Sequence, residues 1–529
     1  MYKKVRIDQC GYLPYMKKRV TFVSEQPVHF AVCNSTGKAV FEGVAEKRIE
    51  SKSAGEVNYV GDFTEVSDPG VYYISAGAAG ESDHFRIGLD AYDGLLQKSM
   101  YYFYLSRCGM ELKGAAGVFS HPACHTDLGT VYGSGEKKDV SGGWHDAGDY
   151  GRYVAPGAMA VAQLLLAYTN NRGLVRQYTN PDSTQKVMPE YLAECKYELD
   201  WMMKMQREDG ALYHKATCYH FCDFVMPEEE TEEMVLSPVS VTATADFAGV
   251  TAMAIPYFEE FDPLYAEELA KVSRKAYEAL RQMKGMSGFK NPPEITTGEY
   301  GDAITEDELY FAAAAMYKAF GDPSYREDFE EIARRKIYHG YGWEDMGSYG
   351  NLAYVTCTYP VDQELKKQIK KSMIALADRK LEAAMADGYG NALLPDEYIW
   401  GSNLYTACNG LHLYDAYVLT DDKKYLHAAA DQLHYLLGRN PMGVCYVTGC
   451  GTERVRRRHD RPSGFLGIPM PGMLSGGPCI WMADDLCKNM FDKNTPPAKS
   501  FLDMTGSYST NEITIYWNSA LIQLLAAVY

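Results

Sequence analysis

Near residue 90 the hydrophobic period of this 529-residue chain changes from that of strands to that of helices. Beyond it, stretches such as MAVAQLLLAY (159–168) and YFAAAAMYKAF (310–320) are apolar almost all the way round a helix. A helix of that kind has no face to offer water and must be enclosed by others. Helical patterns over 90–107, 157–169, 189–206, 242–258, 263–283, 305–320, 323–336, 362–387, 403–419, 424–438 and 511–528 follow one another with no strand segments between them. This succession predicts an α/α toroid whose long polar connections, gathered at one end, carry the function.

Ahead of the change lie VRIDQCGYL, KRVTFVS, VHFAVCN, GVYYISA and DHFRIGL, β-branched and aromatic runs separated by Pro, Gly, Asn and Ser. They predict an antiparallel sandwich of immunoglobulin-like size. The chain is longer than one core usually serves. The expected division is a β-sandwich over 1–88 and a helical barrel over 89–529.

A net charge of −18 argues against nucleic acid or an anionic membrane as partner. Arg454-Val-Arg-Arg-Arg458 is the local exception and reads as a solvated loop or as the border of a substrate site. No apolar run reaches the roughly 18 residues that span a bilayer. MYKKVRIDQCGYLP lacks the apolar core of an export signal, and the 13 cysteines are irregularly spaced. These features predict a cytoplasmic enzyme with reduced thiols. Most of the 42 tyrosines belong in a core; a minority lining a cleft would suit sugar rings.

Three polar motifs carry chemistry. In VSGGWHDAGDYGRYV, His145, Asp146 and Asp149 fall within five residues among glycines. The two aspartates either divide the work of a base and a water-orienting group, or serve a turn or a cation loop. Ser509-Thr-Asn-Glu512 opens the last apolar helix as a capping box or as a partly desolvated acid. His459 and Arg461, behind VTGCG, suit hydroxyl and charge recognition or belong to a solvated loop.

In this order, GGWHDAGDYGRYV, VTGCG with His459 and Arg461, and YSTNE resemble glycoside hydrolase family 9. VRIDQCGYLP resembles the start of that family's N-terminal immunoglobulin-like domain. DGALYHK (209–215), TATADFA (242–248), EDELYFAAAAMY (306–317) and YLLGRNPMGVCYVTG (435–449) resemble its barrel segments. The resemblance implies a mainly α chain, an (α/α)6 barrel after a small all-β domain, and inverting hydrolysis of β-1,4-glucosidic bonds. It implies Asp149 as general base, Asp146 as a holder of the attacking water and Glu512 as general acid, a pair that in an inverting enzyme stands roughly 6.5–9.5 Å apart. His459, Arg461, Tyr508 and Trp517 fall at its substrate-binding positions.

Asp460 stands where the family often has histidine, Cys479 where asparagine is common, and Arg456–Arg458 where small residues and proline are more usual. These departures leave the catalytic trio intact and bear on the substrate. Short cello-oligosaccharides are the expected substrate. An endo-β-1,4-glucanase acting on polymer and an exo-β-glucosaminidase are the alternatives within the family, and a non-catalytic carbohydrate-binding protein is the alternative outside it. Cys108, Cys124, His125 and His145 form C-x15-C-H-x19-H, a set of residue types that can close a tetrahedral zinc site or be buried thiols and a substrate contact. The resemblance favours structural zinc. Asp307-Glu308 resembles the carboxylate pair of a calcium site found in some members, and a solvated helix start is the simpler reading.

Overall fold

The computed structural model describes residues 3–180, 187–283 and 285–529. The N-terminal strands are β1 (Val5–Arg6), β2 (Arg19–Val23), β3 (Val28–Asn34), β4 (Ala39–Ala45), β5 (Lys47–Ser51), β6 (Glu56–Asp62), β7 (Gly70–Ser75) and β8 (Phe85–Ile87). They pair antiparallel throughout, in two sheets of order β1-β2-β6-β5 and β4-β3-β7-β8. Val20 and Phe22 from one sheet and Val32 and Ile74 from the other bury in one shared core, so the expected sandwich forms. β4, β5 and β6 were not predicted. The first two are mostly exposed and lack a clean apolar alternation.

Among the described residues, twelve helices have nine residues or more: α1 (Asp93–Leu105), α2 (Val154–Asn170), α3 (Glu190–Lys204), α4 (Val241–Phe258), α5 (Pro263–Gln282), α6 (Glu306–Phe320), α7 (Pro323–Arg335), α8 (Gly347–Val355), α9 (Gln363–Ala386), α10 (Ser402–Thr420), α11 (Lys423–Leu436) and α12 (Ile515–Val528). Eleven match predicted segments. α8 was missed because its nine residues, GSYGNLAYV, contain two glycines and give little period. α12 begins four residues later than predicted. Thr514 caps it, its Oγ1 accepting from Trp517 N at 3.1 Å, and Tyr508–Asn511 is a separate helical turn. Ser509 and Glu512 are therefore not the capping box of the last helix. No described helix is long and apolar enough to cross a membrane.

The chain divides into two compact units, residues up to Tyr102 with Ile374–Tyr529, and Phe103–Met373. In the first, the sandwich is tied to the C-terminal helical segment. Gln9 N donates to Leu437 O at 3.0 Å, Thr21 Oγ1 to Gly388 O at 2.8 Å, and Arg19 pairs with Asp431 at 2.7 Å. α10 packs on α11 and α12, and α12 is buried from end to end. In the second unit α2 packs on α3 and α4, α4 on α5 and α6, and α6 on α7 and α8. This unit also holds a small sheet that the sequence did not announce, of order β10-β9-β13-β12-β11. Its strands are β9 (Gly129–Val131), β10 (Lys137–Lys138), β11 (Arg152–Tyr153), β12 (Lys215–Thr217) and β13 (Val235–Leu236). Strands of two or three residues carry no readable period. They matter here because β11 and β12 flank the DAGD loop.

Candidate active site

The loop from Gly142 to Gly151 leads into β11 and α2. Gly143 adopts φ +76°, and a Cβ there would come within 2.7 Å of the Trp201 ring. Trp144 is buried, with Nε1 donating to Glu194 and its backbone N–H to Glu198. Asp146 N donates to Gly151 O at 3.0 Å and closes the loop. Asp149 Oδ2 accepts from Gly151 N at 3.0 Å and from the Tyr153 hydroxyl at 2.9 Å. A side chain at Gly151 would come within 2.6 Å of that oxygen. Asp146 is 1% exposed, and its Oδ2 accepts from the Tyr300 hydroxyl at 2.5 Å. Tyr300 has φ +45°, a rare conformation for a bulky residue. Its ring meets Tyr153 and Trp343 edge-on, with centroids 4.8 and 4.9 Å away. Each aspartate therefore has a phenol of its own, and the two rings brace each other.

On the other side of His145 the four expected ligand side chains converge. Cys108 Sγ lies 3.5 Å from His125 Nδ1 and 4.0 Å from Cys124 Sγ, and Cys124 Sγ lies 3.8 Å from His145 Nε2. One donor atom from each of the four falls within 4.8 Å of the rest. Ligands of a tetrahedral zinc stand about 3.3–3.8 Å apart, given bonds of about 2.0–2.3 Å, so the donor set fits. Burial works against ionising Cys108, yet the Cys124 hydrogen bond and the charges of Arg152, His145 and His125 hold its thiol well below the usual range. A thiolate is the form that ligates metal. His125 Nε2 lies 3.0 Å from Glu230, the outer carboxylate that commonly orients a ligating imidazole. Backbone bonds from Cys108 N to Gly143 O and from His145 N to Ser106 O, both 2.8 Å, fasten this cluster to the DAGD loop.

Asp307 and Glu308 open α6, where a solvated start was expected. They are instead 1% and 0% exposed. With Asp302 they form a second group whose carboxylate oxygens fall within 4.8 Å. Both oxygens of Glu308, and both of the nearby Asp246 on α4, lack a hydrogen-bond partner among the described residues. Burial, and then the neighbouring carboxylates, push Asp246 and Glu308 well up and Asp307 up to about 8. Oxygen-only donors, buried and mutually repelling, suit a hard cation.

In the first unit Glu512 follows the Tyr508–Asn511 turn and is half-buried. Trp400 Nε1 donates to its Oε2 at 3.1 Å, and the Trp400 ring lies 5.3 Å from that of Tyr508. The His459 ring lies 5.8 Å from that of Tyr508, with Nδ1 2.8 Å from Thr505 O and its backbone N–H donating to Asn511 O. The structure thus brings Glu512, Tyr508 and His459 together, and adds Trp400. Arg461 is buried at the start of the short helix Arg461–Leu466. Asp460 caps that helix through Ser463 N, and burial pushes its carboxyl up to about 6. Trp517 is 2% exposed in α12, its ring set close over Gly401 and Gly476. The basic run divides. Arg456 and Arg457 are exposed, whereas Arg458 is buried and pairs with Asp503 at 2.8 Å, so the solvated-loop reading fails for Arg458. Their N–H groups, Arg456's and Arg457's, also donate to Asp503.

The sequence profile of glycosyl hydrolase family 9 matches residues 92–525, and that of the cellulase N-terminal immunoglobulin-like domain matches 1–81. The chain belongs to glycoside hydrolase family 9. It is 37% identical to a cellodextrinase of Butyrivibrio fibrisolvens, across 99% of this chain and 100% of that one. Among solved structures it resembles a thermostable endoglucanase from Alicyclobacillus acidocaldarius, with TM-score 0.94, 33% identity, and coverage of 100% of this chain and 99% of that one. A zinc-binding triple mutant of the family 9 endoglucanase J30 matches with TM-score 0.91 and 31% identity, covering 97% and 99%. The family 9 enzyme is therefore mainly α, of the (α/α)6-barrel class with an N-terminal β domain, and it is a hydrolase of β-1,4-glucans. The sequence reading passed over Trp400, Tyr153, Tyr300 and Lys215. None lies in a chemistry-bearing motif except Tyr153, whose neighbours drew the attention.

Proposed function

We propose that this family 9 enzyme trims cello-oligosaccharides by inverting general acid/base hydrolysis. Asp149 removes a proton from water, Asp146 holds that water, and Glu512 protonates the leaving glycosidic oxygen. The observation that carries this reading is the dissimilar setting of the two aspartates and the glutamate. The Tyr153 hydroxyl and the Gly151 N–H both donate to Asp149 Oδ2 and fix the direction in which that carboxyl points. Glu512 is only half-buried and has an indole N–H that fixes its orientation. His459 and Tyr508, next to Glu512, and Arg461 bind sugar hydroxyls, and Trp517 supports them from the packed interior. The oligosaccharide preference is supported by the full-length likeness to a cellodextrinase. An endoglucanase reading on polymeric β-glucan is supported by the endoglucanase neighbours.

In this reading Cys108, Cys124, His125 and His145 hold a structural zinc, and Asp302, Asp307 and Glu308 hold calcium. The zinc would do no chemistry and would tie the segment at Cys108 to the residue beside Asp146. Retained thiols at such a site, and 13 free cysteines, support a reducing compartment, the cytoplasm. The domains are 1–88 and 89–529, a division supported by profile matches that end at 81 and resume at 92.

The test is direct. Asp149→Asn and Glu512→Gln should each fold and lose about 10²–10⁴-fold in rate on unactivated cello-oligosaccharides. A fully active Glu512→Gln would end the assignment of the acid. Faster loss of viscosity in polymeric glucan than release of sugar from cellotetraose would favour the endo reading.

A further inference from the structure

Lys215 stands in DGALYHK, a segment to which the mechanism assigns no work. A lysine ammonium is strongly hydrated, and full burial is rare unless it is paired. Lys215 is 0% exposed, and the hydrogen-bond acceptors on its Nζ among the described residues are all uncharged. Its Nζ donates to Gly298 O at 2.5 Å, Thr297 Oγ1 at 3.1 Å and Thr297 O at 3.3 Å. These acceptors are neutral, and a neutral donor could serve them without the cost of burying a charge.

The position of the charge is informative. Lys215 on β12 pairs directly with Tyr153 on β11, and its Nζ lies 5.5 Å from the Tyr153 ring centroid. That phenol donates to Asp149. The charged groups facing the ammonium are Asp149, from the DAGD loop, and Glu299, from the segment it grips. His214 beside it is kept neutral: burial lowers it to about 3, and its ring stacks on Phe289 with Nε2 against Glu299 O. Burial lowers Lys215 itself to about 7, against the pull of Asp149 and Glu299. The gripped segment, 297–300, ends at Tyr300, the strained residue whose hydroxyl reaches Asp146.

We propose that Lys215 is a positioning residue for hydrolysis, holding the 297–300 segment so that Tyr300 meets Asp146 and placing its ammonium against the Tyr153 ring whose hydroxyl donates to Asp149. The inference rests on Asp149 being the general base. It does not depend on metal, because Lys215 touches neither candidate metal cluster.

The experiment compares kcat/KM against pH for the wild type, Lys215→Met, Lys215→Arg and Asp149→Asn on cellotetraose. Loss of a nearby positive charge makes a carboxylate harder to ionise, so the acid limb of Lys215→Met should move to higher pH by about half a unit or more. Lys215→Arg should keep the limb in place. A residue with only a packing role would lower the melting temperature and leave the limb where it was. An acid limb that does not move in Lys215→Met overturns the proposal. Should that variant fold poorly, Lys215→Gln carries the same test, since it retains an N–H donor without the charge. Asp149→Asn separates the two readings: if it keeps the wild-type profile, the base assignment has failed, and if it abolishes the limb, any failure belongs to Lys215.

Discussion

Replacing Tyr300 by phenylalanine removes one oxygen and little else. The ring would still meet Tyr153 and Trp343, and the positive φ would be unchanged, so the fold should survive. What is lost is the hydrogen bond to Asp146 Oδ2, 2.5 Å long in a site where Asp146 is 1% exposed. A bond of that kind to a charged acceptor contributes about 1.5–3 kcal/mol. If all of it is expressed in the transition state, kcat should fall about 10- to 150-fold, at about 1.4 kcal/mol per tenfold. KM should change little, because the contact orients water and not sugar. The assay is steady-state release of cellobiose from cellotetraose, with circular dichroism melting to confirm folding. A folded Tyr300→Phe that keeps kcat within about twofold would refute the argument that Asp146 needs its phenol.

Elemental analysis of protein purified without added metal should find about one zinc per chain. Cys108→Ser should lose it and melt at lower temperature, and metal-free protein of equal stability and activity would end the zinc proposal. The pH dependence of stability should report Asp431. Burial opposes its ionisation, but Arg439 and Arg19 hold its carboxyl below the usual range. A depressed carboxyl contributes stability above its unfolded value, about 3.9, and that contribution is lost as pH falls through the folded value. Asp431→Asn, which strands the buried Arg439, should cost about 3–5 kcal/mol at neutral pH, and the deficit should shrink below about pH 4. A deficit that persists unchanged at pH 3 would contradict the pairing.

Much of this enzyme is written locally. Helices apolar on all sides, such as α2, α6 and α12, cannot be mistaken because burial selects every position. Asp146, Asp149 and the thiol–imidazole set were legible because reactive side chains stand close together among glycines. What escaped the sequence depends on distance along the chain or on shortness. Tyr300 reaches Asp146 across 154 residues and Trp400 reaches Glu512 across 112, so no window contains both partners. β9–β13 are too short to have a period. Asp307, Glu308 and Arg458 looked solvated because charge usually is. Arg458 is buried against Asp503, 45 residues away, whereas the α6 pair is buried beside the Asp302 and Asp246 carboxylates, whose repulsion a bound cation would relieve. Ser509 and Glu512 mimic a cap that Thr514 supplies.

Hydrolysis with Asp149 as base and Glu512 as acid inverts the anomeric carbon, and the first-formed sugar shows it before mutarotation blurs the record. Proton NMR of cellotetraose in the first minutes after adding enzyme should show the α-anomer accumulating ahead of equilibrium. Net accumulation of the β-anomer would mean that one of these carboxylates is a nucleophile, and the account given for this site would be wrong.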